Sequence, residues 1–254
     1  MDRPDYLLSP SIADSNRPVL VLGHSLGTNF ALWQSTLEPL GKKCDLLRYD
    51  PHPRPERTTG ASIESRGRVL LQLLDRLRIN QVDFCGVSIS GLLGQWLAIN
   101  AANRIHRLVL SNTAARIGAP EAWQSRIELI REKGLAEVAE SLVNRWFSPE
   151  FSARHPEILT AFTNDLRDFS TTEYLAGCEA LRDTDFRERV QQIKARTLVI
   201  AGAHDRAATL SDAEFLHEKI RGSQRQIFPC GHLACIESAE GFAKAVTEFL
   251  SESV

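Results

Sequence analysis

The chain has 254 residues and a formal net charge of -2, with 43% hydrophobic and 24% charged residues. That is the profile of a globular protein large enough to bury a core without covalent staples. It carries no bulk positive field to draw nucleic acid or an anionic membrane, so an acidic ligand must be held by a few local cations.

Short apolar, β-branched runs bounded by turn residues predict strands buried on both faces. In chain order they are Pro18–Gly23, Cys44–Tyr49, Val82–Val87, His106–Ser111, Thr197–Ala201 and Gln224–Phe228. Amphipathic stretches of helical period lie between them. Leu70, Leu71, Leu73, Leu74 and Leu77 share one face, as do Phe242, Val246, Phe249 and Leu250 near the end. Strands alternating with helices imply βαβ units, hence an α/β fold with a mostly parallel sheet covered by helices on both faces.

The alternation breaks once. From about Thr113 to about Val190 only helical patterns occur, among them Trp123–Lys133, Leu135–Phe147 and Glu157–Leu166, with Pro120, Pro149 and Pro156 near their starts. We read residues 113–190 as a helical cap inserted between two parts of one core, 1–112 and 191–254.

Five cysteines (Cys44, Cys85, Cys178, Cys230, Cys235) form an odd set without a CxxC pair. Cys44 and Cys85 lie in apolar runs and read as buried thiols. The start, Met1 to Asp5, lacks a charged-then-apolar signal, and no apolar run approaches about 18 residues, so the expected location is cytoplasmic.

Gly86-Val87-Ser88-Ile89-Ser90 falls where an apolar strand gives way to an amphipathic helix, the setting of a nucleophile elbow. A sharp strand–turn–helix lifts the serine hydroxyl above the sheet, and small neighbours let strand and helix backbones approach. The Ile89 NH points into the same space and can bind an oxyanion. By itself such a pentapeptide also describes an ordinary tight turn.

Two later loops complete the chemistry. Asp205 follows one late strand in Gly202-Ala203-His204-Asp205, and His232 follows the last in Pro229-Cys230-Gly231-His232. A neutral serine needs a base, and the base needs a carboxylate to fix its tautomer. Ser88, Asp205 and His232 occur in the order that α/β-hydrolases use, each at the carboxyl end of a strand. Gly23-His24-Ser25-Leu26-Gly27, after the first buried strand, supplies the second oxyanion donor, the Leu26 NH. It matches neither phosphate-cradle pattern. Cys230, His232 and Cys235 are close enough to suggest zinc, but no fourth ligand is evident, and no metal is expected.

With these residues located, the chain resembles the 3-oxoadipate enol-lactonases of the β-ketoadipate pathway, from about Val19 to Leu250. The resemblance is carried by His24 to Thr28 with Trp33, by Leu47 to Asp50, and by Phe84 to Ser88. It continues through Leu110 to Gly118, Arg145-Trp146-Phe147, Cys178 to Ala180, Gly202 to Asp205 and Gly231-His232. It implies an α/β-hydrolase fold and hydrolysis of 3-oxoadipate enol-lactone to 3-oxoadipate without a cofactor. The partner would be a small carboxylate-bearing lactone or ester, not nucleic acid or membrane. Arg116 or Arg145 would then hold the carboxylate, with Ser25, Trp123 and Trp146 in the pocket.

The chain departs from the family in three places. Ser90 replaces the usual glycine, and the segment before the first buried strand is short, so the leading hairpin should be abbreviated. Pro51-His-Pro-Arg-Pro-Glu-Arg-Thr58 replaces a glycine-bearing loop, and its three prolines stiffen a segment expected at the site's rim, from which His52 or Arg54 could enter the pocket. The rival readings are a carboxylesterase or C–C hydrolase on another small acid, and a hydrolase-fold protein that only binds a ligand.

Overall fold

The computed structural model describes residues 5–9, 17–52 and 62–252. The first half alternates β1 (Tyr6–Leu8), β2 (Val19–Gly23), α1 (Leu37–Gly41), β3 (Asp45–Tyr49), α2 (Ile63–Arg76), β4 (Val82–Val87), α3 (Ile89–Asn100) and β5 (Ile105–Ser111). Five helices follow: α4 (Pro120–Lys133), α5 (Leu135–Val143), α6 (Pro149–Arg154), α7 (Pro156–Arg167) and α8 (Thr171–Asp183). The chain then closes with β6 (Arg196–Gly202), α9 (Leu210–Lys219), β7 (Gln224–Phe228), α10 (Ala234–Glu237) and α11 (Ala239–Ser251).

The strands form one sheet in the order β1-β3-β2-β4-β5-β6-β7. All neighbours are parallel except β1, which runs antiparallel to β3 with Tyr6 opposite Tyr49. Every residue of β4 is buried, as a central strand covered on both faces must be. Leu70, Leu73 and Leu74 of α2 and Phe242, Val246, Phe249 and Leu250 of α11 supply part of that cover.

The leading strand β1 is only three residues long, short as expected. Two expectations are amended. β7 is not buried on both faces: Gln224 to Ile227 are exposed because β7 is an edge strand with β6 on one side only. In the insertion, α5 ends at Val143 rather than Phe147, and α8 is a helix that periodicity did not single out. Proline opens α4, α6 and α7, where its missing NH costs nothing, and Gly134 at φ 86° separates α4 from α5.

The inserted helices meet the loops at the carboxyl ends of the strands. Tyr174 of α8 and Leu166 of α7 press on Gly27, Gly177 of α8 packs on Leu26, and the Trp146 carbonyl accepts a 2.7 Å bond from the His232 NH. Among the described residues, no helix is long and apolar enough to cross a membrane.

Candidate active site

Ser88 stands between β4 and α3 at φ 58° and ψ -116°, a conformation that L-residues rarely adopt and that stores about 1–3 kcal/mol of strain. The surrounding bonds hold it there. Its NH donates to Ser111 on β5, and its carbonyl accepts from the Thr113 hydroxyl at 2.8 Å and from the NH groups of Gly91 and Leu92. A side chain at Gly86 would lie 2.2 Å from the Ser90 carbonyl oxygen, so only glycine lets strand and helix cross so closely.

Ser90 occupies the unusual position productively. Its hydroxyl donates a 2.6 Å bond to the His24 carbonyl, and both side chains are fully buried. The space for Ser90 comes from Gly23, where a Cβ would fall 2.8 Å from the Ser90 Cβ. The bond ties the elbow to the loop carrying Ser25 and Leu26. Among the described residues the NH groups of Leu26 and Ile89 have no hydrogen-bond partner, as donors waiting for a ligand oxygen would.

Asp205 and His232 meet as a buried pair, 7% and 3% exposed. The His232 Nδ1 lies 2.8 Å from Asp205 Oδ2, and the other carboxylate oxygen accepts the NH groups of Ala207 at 2.8 Å and Ala208 at 3.0 Å. Burial would raise this carboxyl, but the His232 charge and hydrogen bond and the Ala208 and Ala207 NH groups outweigh it and hold it below the usual carboxylate range. Asp205 is therefore ionised at neutral pH.

Asn112, which sequence reasoning missed, links these parts. At φ 48° just beyond β5, its amide donates to Asp205 Oδ2 at 3.2 Å and to the Gly231 carbonyl at 3.0 Å. The Glu237 carboxylate fixes the other side of the His232 loop, accepting from the Gly231 NH at 2.7 Å and from the Ser148 hydroxyl at 2.6 Å.

Ser88 and His232 open into one cavity of about 120 Å³, the scale of a small molecule rather than a long acyl chain. Ser25, Leu26, Trp123, Arg145 and Trp146 line it, as sequence reasoning placed them. Arg116 does not. It sits outside the pocket, 3.4 Å from Asp185, because that carboxylate near the start of the return to the core draws it away. Arg126 and Arg206 line the cavity unforeseen.

His52 also stays out of the pocket. It is buried with its Nδ1 2.7 Å from Asp50 Oδ1, which lies 3.4 Å from the His24 Nε2. Arg54 and the rest of the proline loop to Thr58 lie outside the described residues. Among the described residues, Cys230, Cys235 and His232 do not bring their ligand atoms together as a metal site would. The His232 Nδ1 faces Asp205, and burial, with the Glu237 charge, pushes the Cys230 thiol up to about 12. Burial raises the Cys235 thiol as well.

A sequence model described as alpha/beta hydrolase fold matches residues 18–239. 3-oxoadipate enol-lactonase 2 of Acinetobacter baylyi is 38% identical over 239 residues, covering 93% of this chain and 90% of that protein. 3-oxoadipate enol-lactonase 1 of the same organism is 32% identical over 237 residues, covering 92% and 89%. The crystal structure of the enol-lactonase from Burkholderia xenovorans LB400 superposes with a TM-score of 0.91 at 36% identity, over 97% of this chain and 96% of that one.

Proposed function

The chain belongs to the α/β-hydrolase-fold family, among the 3-oxoadipate enol-lactonases, and from that premise we propose that it hydrolyses 3-oxoadipate enol-lactone to 3-oxoadipate. The observation that carries the reading is the strained Ser88 opening, together with the Asp205-bound His232, into one small pocket.

In this reading the His232 Nε2 takes the Ser88 proton as the Ser88 oxygen attacks the lactone carbonyl. The Leu26 and Ile89 NH groups bind the oxyanion. The ring C–O bond then breaks, His232 returns the proton to the departing enol oxygen, and the enol ketonises. The leaving group stays tethered to the acyl chain, so residues 113–190, acting as a cap, must leave room for water. His232 activates that water, which splits the acyl-enzyme and releases the second carboxylate.

The test is hydrolysis of freshly generated 3-oxoadipate enol-lactone beside 4-nitrophenyl acetate. Turnover of the lactone at about 1–1,000 per second is the expected result. Aryl ester hydrolysis with no action on the lactone would keep the serine hydrolase and reject the substrate. No lactone turnover and no labelling by a fluorophosphonate would reject both.

Ser90 acts in this scheme through Leu26. Losing the bond to His24 lets the oxyanion loop drift, and since removing a whole oxyanion donor costs about 100- to 1,000-fold, a displaced one should cost less. Ser90→Gly is therefore expected to lower kcat about tenfold with little change in KM, measured by steady-state kinetics. A rise in KM at unchanged kcat would assign Ser90 to the pocket's shape instead.

A further inference from the structure

Among the described residues, the cavity is lined by three arginines and by no aspartate or glutamate, in a chain whose net charge is -2. Elsewhere the arginines of the inserted helices are paired: Arg131 with Glu179, Arg154 with Glu150, Arg167 with Glu140 and Arg182 with Asp183. Among the described residues, Arg126, Arg145 and Arg206 have no carboxylate partner. Cations left unpaired around a concave site call for an anion from outside.

The three are not equivalent. Arg145 and Arg206 are exposed, whereas Arg126 on α4 is half-buried. The Arg126 guanidinium lies 4.5 Å from the centroid of the Trp123 ring, one helical turn earlier. That ring is itself held by a 2.6 Å bond from its Nε1 to the Ile117 carbonyl. On the inner side stands the Tyr174 hydroxyl, which burial pushes up and the Arg126 guanidinium draws down. Stacking fixes the plane of the fork in advance, and partial burial strengthens any pair it forms.

We propose that Arg126 receives the carboxylate of the substrate and makes the pocket selective for an anionic enol-lactone over a neutral one. This rests on the lactonase reading and adds to it the residue that chooses among lactones. Ring opening is the same for both classes, and Arg126 separates them by pairing with the side-arm carboxylate in two parallel N–H to O bonds.

The test compares two substrates that differ only in that arm. 3-oxoadipate enol-lactone carries a carboxymethyl group on its ring, and α-angelica lactone carries a methyl group instead. Wild type should favour the anion in kcat/KM. Arg126→Gln should cut kcat/KM for the anion about 30- to 100-fold while changing the neutral lactone far less, so that the ratio collapses. Arg126→Lys, which keeps the charge but not the fork, should recover part of it. Arg131→Gln, five residues on and outside the pocket, should leave both values and the ratio unchanged.

Equal losses on the two lactones, or a ratio that collapses with Arg145→Gln or Arg206→Gln but not with Arg126→Gln, would overturn the proposal. If wild type hydrolyses both lactones equally well, the lactonase reading stands and Arg126 loses its role. If wild type hydrolyses neither, the lactonase reading falls, and the assignment of Arg126 falls with it.

Discussion

Ser88→Ala is expected to lower kcat by about a million-fold while leaving the fold in place. The two halves of that expectation have separate causes. The Ser88 side chain makes no capping bond to α3, and every bond that holds its backbone at φ 58° comes from its NH or carbonyl. Alanine meets the same backbone strain as serine, so the elbow persists and the melting temperature should move by only a few degrees. Chemistry has no such alternative: among the described residues lining the pocket, Ser88 alone presents a hydroxyl from the strained turn at the head of a helix. A small residual rate would come from the oxyanion donors and from binding alone. Turnover of the enol-lactone above a thousandth of wild type would place the nucleophile elsewhere.

Asp205→Asn should cost about ten-thousand-fold in kcat without unfolding the protein. The hydrogen bonds decide which way the new amide faces. Oδ1 is held by the backbone NH groups of Ala207 and Ala208, which cannot turn, so the single amide oxygen must stay there. The new NH2 then faces the His232 Nδ1, and Nδ1 must become the acceptor. The ring proton moves to Nε2, on the side meant to take the Ser88 proton, and the base is blocked. The NH2 also meets the Asn112 amide, a donor against a donor. Steady-state kinetics check the loss, and the imidazole nitrogen resonances of His232 report the tautomer. A loss below about tenfold would mean that Asp205 only anchors its loop.

The parts legible in the sequence are those in which chemistry and secondary structure share a position. Ser88, Asp205 and His232 each follow a strand, so finding β4, β6 and β7 also located the polar residues at their ends. Asn112 also follows a strand, but an asparagine in a loop is ordinary, and only its two bonds distinguish it. Arg126 was hidden among many helical arginines: its three-residue spacing from Trp123 was visible, but the lack of an acidic partner is a property of the folded surface. The choice of Arg116 failed for the same reason, since Asp185 is 69 residues away in the chain. β1 is too short to show a period. α8 buries Gly177, Cys178 and Ala180 beside Tyr174 and Leu181, small residues that a count of large apolar side chains passes over. The enol-lactone itself was suggested by family resemblance and not by spacing.

The order of the parts along the chain also times the birth of activity during synthesis. Domains fold as units while the chain emerges amino end first. The elbow at Ser88 and its neighbours β2, β4 and β5 have all been synthesised once Ser111 is added, less than halfway along. His232 arrives on the loop after β7, and its NH must still dock on the Trp146 carbonyl of the inserted helices. Until then the serine has no base and is a weak nucleophile. A chain that has emerged only as far as Ser111 thus holds the nucleophile without its base, and activity waits for the last loop.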